Sequence, residues 1–408
     1  MKSNLLIAFL VLLLVSCSSP KPEPLDKLAE SGLSQSELQD RIQGMIVGAA
    51  IGDAMGAPTE MWSRNDIQAT YGFVSSLDTM VREVSPEGIW VADLPAGGTT
   101  DDTRWKVLAG EYLLTQSSNE LDPQDFAAQI YQQYKAYFDQ LSHLDSSDEK
   151  GIENAFLRVA WLQEWAKVSQ PYLKNDLTGY ADTLGRFYGG EMVCAGLLYA
   201  PSLGVYFPGN PQKAYEEAFK LSIYDLGYAK DLTALSAAMT AAGMKKGATS
   251  DSLLASQALD PSHYFQSRLV GRTANRILND AIWIAEEAKK LDSLNNYFDP
   301  KSPALGFAYE QLDQRLQDMP FHAGEIYLQT ITAMVYADFD FMNTLIFLTN
   351  YGRDNDTTAA LAGGILGAFY GFEALPDKEK KQVLEVNKVI LNQDLEKLAA
   401  AISEHMAH

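Results

Sequence analysis

This sequence predicts an all-α domain, and three observations carry the prediction. Helix-start signals recur along the chain, two stretches hold glycines at four-residue spacing among alanines, and alternating strand patterns are few. Phe73 to Val84 is the one segment with strand character and reads as a short ribbon. The chain has 408 residues, 47% of them hydrophobic, which is ample for a large core. No shift in composition marks an internal boundary, so residues 34–408 read as one domain.

The first residues stand apart from it. Met1-Lys2 is a short basic start, and Leu5 to Val15 is an apolar run too short to span a bilayer but of the length of a signal-peptide core. Leu14-Val15-Ser16-Cys17 resembles the bacterial lipobox, whose cysteine becomes the lipidated first residue. Residues 1–17 therefore read as a lipoprotein signal peptide with Cys17 as the lipidation site. Residues 18–33, opening with Ser18-Ser19-Pro20-Lys21-Pro22-Glu23-Pro24, read as a flexible tether. The expected location is the cell envelope, as an outer-membrane lipoprotein facing the periplasm or the cell surface.

Ser34-Gln35-Ser36-Glu37 has the capping-box pattern and opens the first long helix. That helix carries Gly44, Gly48, Gly52 and Gly56, and a later one carries Gly363, Gly367 and Gly371. Glycine costs a helix about 1 kcal/mol against alanine. At this spacing the glycines share one face, where another backbone can approach closely. Two tightly packed central helices are expected. Asp53 interrupts the first and the second is short, so neither reads as a membrane span. Asp122-Pro123, Asn210-Pro211 and Asp260-Pro261 each place a capping side chain before proline and predict three further helix starts. Lys150-Gly151 is a loop-to-helix junction whose N–H groups are candidates for holding a phosphate. Cys194, the one cysteine besides Cys17, lies among apolar residues and reads as a buried structural thiol.

The formal net charge is −21, with a sequence pI near 4.6. A nucleic-acid partner needs the reverse balance, so none is expected. The same acidity argues against a polybasic grip on anionic lipid, which leaves the lipid at Cys17 as the membrane contact. No Gly-x-Gly-x-x-Gly follows a strand and no Walker-type loop is present.

Three clusters carry chemistry. The first is Gly97-Gly98-Thr99-Thr100-Asp101-Asp102-Thr103, ahead of a helix running from Arg104 to Leu114. The second is Gly352-Arg353-Asp354-Asn355-Asp356-Thr357-Thr358, ahead of the second glycine-bearing helix. The third, Gly52-Asp53-Ala54-Met55-Gly56-Ala57-Pro58-Thr59-Glu60, ends the first. Taken singly, Asp and Thr before a helix are favoured caps. Taken together, they are hard oxygen ligands suited to Mg²⁺, Mn²⁺ or Ca²⁺, and the five scattered histidines give no zinc spacing. If the clusters converge, their mutual repulsion calls for bound cations.

In order, spacing and position the three motifs resemble the ADP-ribosylglycohydrolase family, over about Arg41 to Gly371. The resemblance implies a compact all-α fold with two Mg²⁺ (or Mn²⁺) in one cleft. It also implies a metal-dependent hydrolase that cleaves the glycosidic bond at C1 of a ribosyl group. By motif position, Thr100, Asp101, Asp102, Asp354, Asp356 and Thr357 resemble the metal ligands. Glu60 falls where the family places a mobile glutamate near the scissile bond. Glu60, Asp101 and Asp102 are thus the expected catalytic residues, with Glu60 on the leaving-group side. Gly190 and Glu191, in Tyr188-Gly189-Gly190-Glu191-Met192, occupy roughly the place of the family's substrate loop and join Gly151 and Arg353 as expected substrate contacts. The expected partner is a ribosyl-containing small molecule or an ADP-ribosylated conjugate.

Two departures bear on the substrate. Arg353 and Asn355 stand where better-known members carry Gly and Thr, and Arg353 is placed to pair with a phosphate or with Asp354. A Ser/Thr-His stretch is replaced by Ile223-Tyr224-Asp225-Leu226-Gly227-Tyr228-Ala229-Lys230-Asp231, with Tyr224 or Tyr228 as candidates for stacking on a base or for core packing. The rival reading is a lipoprotein that captures a glycan or nucleoside without catalysis. Its support is the 20 tyrosines and 6 tryptophans.

Overall fold

The computed structural model describes residues 27–407, apart from 82, 87–89, 146, 267–268 and 293–295. The signal-peptide and lipidation readings and the first part of the tether lie outside the described residues. The rest of the tether differs from expectation. Lys27–Ser31 is a short helix, with the Lys27 ammonium 3.0 Å from the centre of the Tyr206 ring and Glu30 accepting from the Asn210 amide at 2.8 Å.

Among the described residues the fold is all α, with eighteen α-helices and no strand. The ribbon expected over residues 73–84 reduces to one antiparallel bridge, Met80 with Leu94. A two-stranded pair with no third strand to share a hydrophobic face has little stability of its own. The starts at Pro123–Ser142 and Pro211–Leu221 form as the capping residues predict, with Asp122 and Asn210 accepting N–H bonds. Asp260-Pro261 starts a turn and no helix. The Asp260 carboxylate takes the N–H groups of Tyr264 and Phe265 (3.0 and 2.9 Å), which holds the chain in a closed loop.

The centre of the molecule is the helix Gln35–Gly56, opened by the capping box at Ser34, packed antiparallel on the helix Asn355–Tyr370. From Gly44 to Gly56 and from Asn355 to Ala368 every residue is buried, as expected of helices covered on all sides. The glycine face makes the approach possible. A Cβ on Gly48 would lie 2.4 Å from the Gly363 carbonyl oxygen, and one on Gly52 would lie 2.0 Å from that of Ala359. Further along, Gly56 faces the backbone of Asp356. The antiparallel ladder therefore brings the C-terminal end of one central helix against the N-terminal end of the other.

The remaining helices wrap this pair. Asp101–Leu113, Ala200–Val205 and Ala229–Gly243 pack beside it, and Asp377–Val389 and Leu395–Met406 cover the Gln35–Gly56 helix. Pro123–Ser142 pairs with Glu149–Leu173, and Thr273–Lys289 with Ala323–Tyr336. No described helix is long and apolar enough to cross a membrane.

Candidate active site

The site is built at the end of the glycine ladder, from its most buried residue outward. Asp53, fully buried in the last turn of the Gln35–Gly56 helix, accepts from four donor groups. They come from the N–H groups of Thr100 and Thr103 (3.0 and 2.9 Å) and from the two hydroxyls of the same residues (2.9 and 2.6 Å). Asp53 thus fixes the turn that starts the Asp101–Leu113 helix. Burial pushes its carboxyl up to about 7, and the charge of Asp102 adds to the rise. Sequence reasoning left Asp53 out of the candidate site residues, although its place in the third cluster was visible.

Thr100 is the N-cap of that helix, accepting from the Asp102 N–H at 3.3 Å, so capping and site-building coincide there. Its hydroxyl also lies 3.2 Å from Asp356 Oδ2, which links the first cluster to the second. Asp102 is buried with both oxygens engaged. Oδ1 accepts from the Lys106 ammonium at 2.8 Å and Oδ2 from the Thr357 hydroxyl at 2.9 Å. Lys106 is 1% exposed and one helical turn beyond Asp102. The i, i+4 spacing in the sequence was the signal for this pair, and it was missed.

The second cluster behaves differently. Asp354 stands at the N-cap position of the Asn355–Tyr370 helix, yet its side chain makes no capping bond. With Asp356 and Glu60 it forms a group of three carboxylates offering ligand oxygens all within 4.8 Å of one another. Asp354 and Asp356 are buried, and Glu60 is half-buried. Burial pushes Asp354 up to about 8, with the charge of Glu60 as the next cause, and the same two causes raise Asp356. Three carboxylates packed this closely, with only oxygen donors, fit a hard divalent cation.

The loop carrying Glu60 is tied to the second cluster. The Met61 N–H donates to the Arg353 carbonyl (2.7 Å), and the Arg353 N–H donates to the Trp62 carbonyl (3.0 Å). The Asn355 amide reaches the Thr59 hydroxyl at 2.8 Å. Arg353 adopts φ 63°, in the left-handed region. It forms a two-pronged pair with Glu325 (2.8 and 2.9 Å) and donates to the Gln317 carbonyl. Sequence offered a phosphate or Asp354 as its partner, and the hydrogen-bonded ion pair is made with Glu325, which no local pattern announces.

Some of these residues line a cleft, which combines Glu60, Asp101, Asp354, Asp356 and Thr357 with the apolar side chains of Trp105, Trp165, Tyr188, Cys194 and Phe321. The Tyr188 and Phe321 rings stand nearly edge to face, 6.1 Å apart at 77°. The loop bearing Cys194 is held by a bridge from Val193 to His322 and by Asp225, which accepts from Gly196 N–H (2.8 Å) and from Thr233 (2.7 Å). Cys194 is buried as expected, and burial pushes its thiol well up.

The other expected contacts fall outside this lining. Gly151 sits inside the Glu149–Leu173 helix, and its N–H is taken by the Asp148 side chain at 3.0 Å, so it has no free donor for a phosphate. Gly190 (φ 86°) and Glu191 follow Tyr188 in the turn, but the tyrosine, itself at φ 45°, is what faces the cleft. Tyr224 is a core residue, fully buried against Trp165 and bonded to Ser169. Tyr228 packs edge-on to His322.

Comparison with known proteins agrees with this architecture. A protein of Archaeoglobus fulgidus described as uncharacterized is 24% identical over 343 residues, covering 84% of this chain and 90% of its own length. A solved structure described as an ADP-ribosylglycohydrolase-related protein complex superposes with a TM-score of 0.53 at 19% identity. It covers 91% of this chain and all of its own, and so shares the fold. The family profile described as ADP-ribosylglycohydrolase matches residues 34–408, the span that holds both central helices and all three acidic clusters, and the chain belongs to the ADP-ribosylglycohydrolase family.

Proposed function

We propose that this protein is a metal-dependent hydrolase that cleaves the glycosidic bond at C1 of a ribosyl group. The observation that carries the reading is the trio Glu60, Asp354 and Asp356, three carboxylates within 4.8 Å in a cleft that aromatic rings also line. Family membership supports the hydrolase class. Glu60, Asp354 and Asp356 would hold one magnesium or manganese ion, and Thr100, Asp101, Asp102 and Thr357 flank the place where the resemblance implies a second. A divalent cation bound there supplies charge neutralisation and a grip on vicinal hydroxyls.

The chain's own residues supply the rest. The acidic lining favours the positive character that grows at C1 as the bond breaks. The rings of Tyr188 and Phe321, set nearly edge to face, offer an apolar wall against which a base or other aglycone could pack. Hydrolysis places a water hydroxyl on C1 and a proton on the leaving oxygen or nitrogen. Glu60 is the half-exposed member of the trio, on a loop, and is the residue placed to pass that proton. Asp53 acts by positioning, since it holds Thr100 and Thr103.

Cys17, as a lipobox cysteine, would anchor the enzyme in the cell envelope. The substrate would then be a nucleoside, nucleotide or other ribosyl conjugate met outside the cytoplasm. The test is calorimetry with Mg²⁺ and Mn²⁺ on the protein lacking residues 1–17, beside Asp356→Ala, followed by assay of ADP-ribosyl and nucleoside substrates. Metal binding lost in the variant, with metal-dependent release of ribose or ADP-ribose, is the expected result. Wild-type protein that binds no metal would refute the reading.

A further inference from the structure

Arg353 holds a backbone conformation that is costly for an arginine. Its φ of 63° is left-handed, a region that glycine adopts freely and larger residues avoid. Strain of this kind persists where the surroundings hold it, and here the side chain does so. The guanidinium grips both oxygens of Glu325 at 2.8 and 2.9 Å, and Glu325 is 2% exposed. A two-pronged pair fixes orientation as well as distance.

Both ends of the pair lead to the lining of the cleft. On one end, the Arg353 N–H and carbonyl are bonded to Trp62 and Met61, and Met61 lines the cleft. On the other end is the segment from Gln317 to Glu325. Glu325 accepts from the Gln317 N–H at 2.8 Å, and Arg353 donates to the Gln317 carbonyl at 2.9 Å. The segment is thus pinned at its start and its finish. Between them stands Phe321, a lining residue whose carbonyl accepts from the Cys194 N–H at 3.0 Å. The Ala323 N–H donates to the Met192 carbonyl at 2.9 Å. Met61, Phe321 and Cys194, distant in sequence, belong to one continuous set of bonds with the Arg353–Glu325 pair in the middle.

We infer that Arg353 and Glu325 form a specificity-determining clasp. It sets the spacing between the Met61 and Phe321 segments, so that the cleft prefers a ribosyl compound with a planar aromatic group at C1. The inference rests on the proposed ribosyl reading and deepens it. A ring packed against a wall loses about a quarter to a half of its contact attraction when the gap widens by about 0.5–1 Å. A methyl group at C1 makes little of that contact and is indifferent to the spacing. Both residues act by positioning, since neither is among those that line the cleft.

The test compares wild type with Arg353→Gly, both without residues 1–17. Glycine suits the left-handed backbone, so the variant keeps the bonds to Met61 and Trp62 and loses the clasp. Arg353→Gly joined to Glu325→Gln also removes the buried charge, should the single variant fold poorly. Hydrogen exchange at the Gln317 and Cys194 amides is expected to rise about ten-fold or more in the variants, with the helix Pro123–Ser142 unchanged. NMR titration at saturating Mg²⁺ compares adenosine with methyl β-ribofuranoside. Wild type is expected to prefer adenosine. The variants should lose about ten-fold of that preference and bind the methyl riboside as before.

Unchanged exchange at Gln317 and Cys194 would overturn the inference. So would faster exchange with an unchanged preference, or a wild type that binds the two compounds equally, and each of these leaves the hydrolase reading standing. A wild type that binds neither compound would overturn both.

Discussion

The two Asp/Thr clusters look alike in sequence and have opposite fates in the fold. Thr100-Asp101-Asp102-Thr103 is almost entirely braced. Asp53 holds both threonines, Thr100 caps its helix, and Lys106 and Thr357 take the two oxygens of Asp102. In Asp354-Asn355-Asp356-Thr357, the capping position is filled by a carboxylate that makes no cap, and its charge adds to those of Asp356 and Glu60. The first cluster is mostly braced by its neighbours, and the second is a repulsive centre of the kind a cation would relieve. Similar residues at similar helix starts therefore carry different parts of the function, and the partners decide which.

The comparison can be broken most severely at the glycine ladder, which both clusters share. Gly52→Ala would drive a methyl group onto the Ala359 carbonyl. The expected loss is about 3 kcal/mol of stability or more, since backbone cannot step aside as a side chain can. Chemical denaturation measures it, and a variant as stable as wild type would mean the two helices are not locked as described.

Next come the two clusters tested against each other. Asp102→Asn leaves Lys106 buried without its counter-charge and should cost the metal-free protein about 3–5 kcal/mol. Asp356→Asn removes one charge of a repelling group, so it should leave the metal-free protein as stable as wild type or more so. Its metal affinity should fall on the order of 100-fold. Thermal melts with and without Mg²⁺ separate the two. Equal responses would erase the distinction between braced cluster and repulsive centre.

The pH profile sharpens the same point. Asp53 and Asp354 are raised in the folded state, to about 7 and about 8, so between the ordinary aspartate range and those values the folded form holds more protons than the unfolded one. Stability then falls as pH rises through that window, and the raised Asp356 carboxyl contributes in the same direction. Metal-free protein should melt at a higher temperature at pH 5 than at pH 8, and saturating Mg²⁺ should flatten the difference. A metal-free profile that rises toward pH 8 would contradict the electrostatics of the site.

The smallest effect belongs to the latch on the Glu60 loop. Arg353→Ala removes the two-pronged pair with the buried Glu325 while leaving the backbone bonds to Met61 and Trp62. A loss of about 1–2 kcal/mol is expected. Turnover should fall several-fold with metal affinity nearly unchanged, because Glu60 is held less firmly. Kinetics that match wild type would show that the backbone bonds alone set the loop.

Much of this was legible in the chain. Four-residue glycine spacing announces two helices in backbone contact, and the capping signals give most helix starts. The oxygen-only clusters mark the residues that come together as the carboxylate group of the cleft. What was not legible depends on partners distant in sequence. Nothing near Arg353 points to Glu325, and nothing in Lys150-Gly151 shows that Asp148 already claims the N–H. Asp260-Pro261 has the same local signal as the two true helix starts, and its carboxylate closes a loop instead. Lys106 was in view but unread, because one lysine at i+4 from an aspartate is ordinary on a surface and decisive only when buried.

The antiparallel glycine ladder also sets the order in which the protein can acquire its site. Thr100 meets Asp356 across 256 positions of chain, and Asn355 meets Thr59 across 296. Contacts of such separation form only after a large loop has closed, which is slow and costs chain entropy. A chain still growing from its N-terminus has Asp53 and the first cluster but no trio. On the proposed metal dependence, ion binding would therefore wait for the finished molecule, and a bound cation would add its stabilisation to the contacts that join the two ends of the sequence.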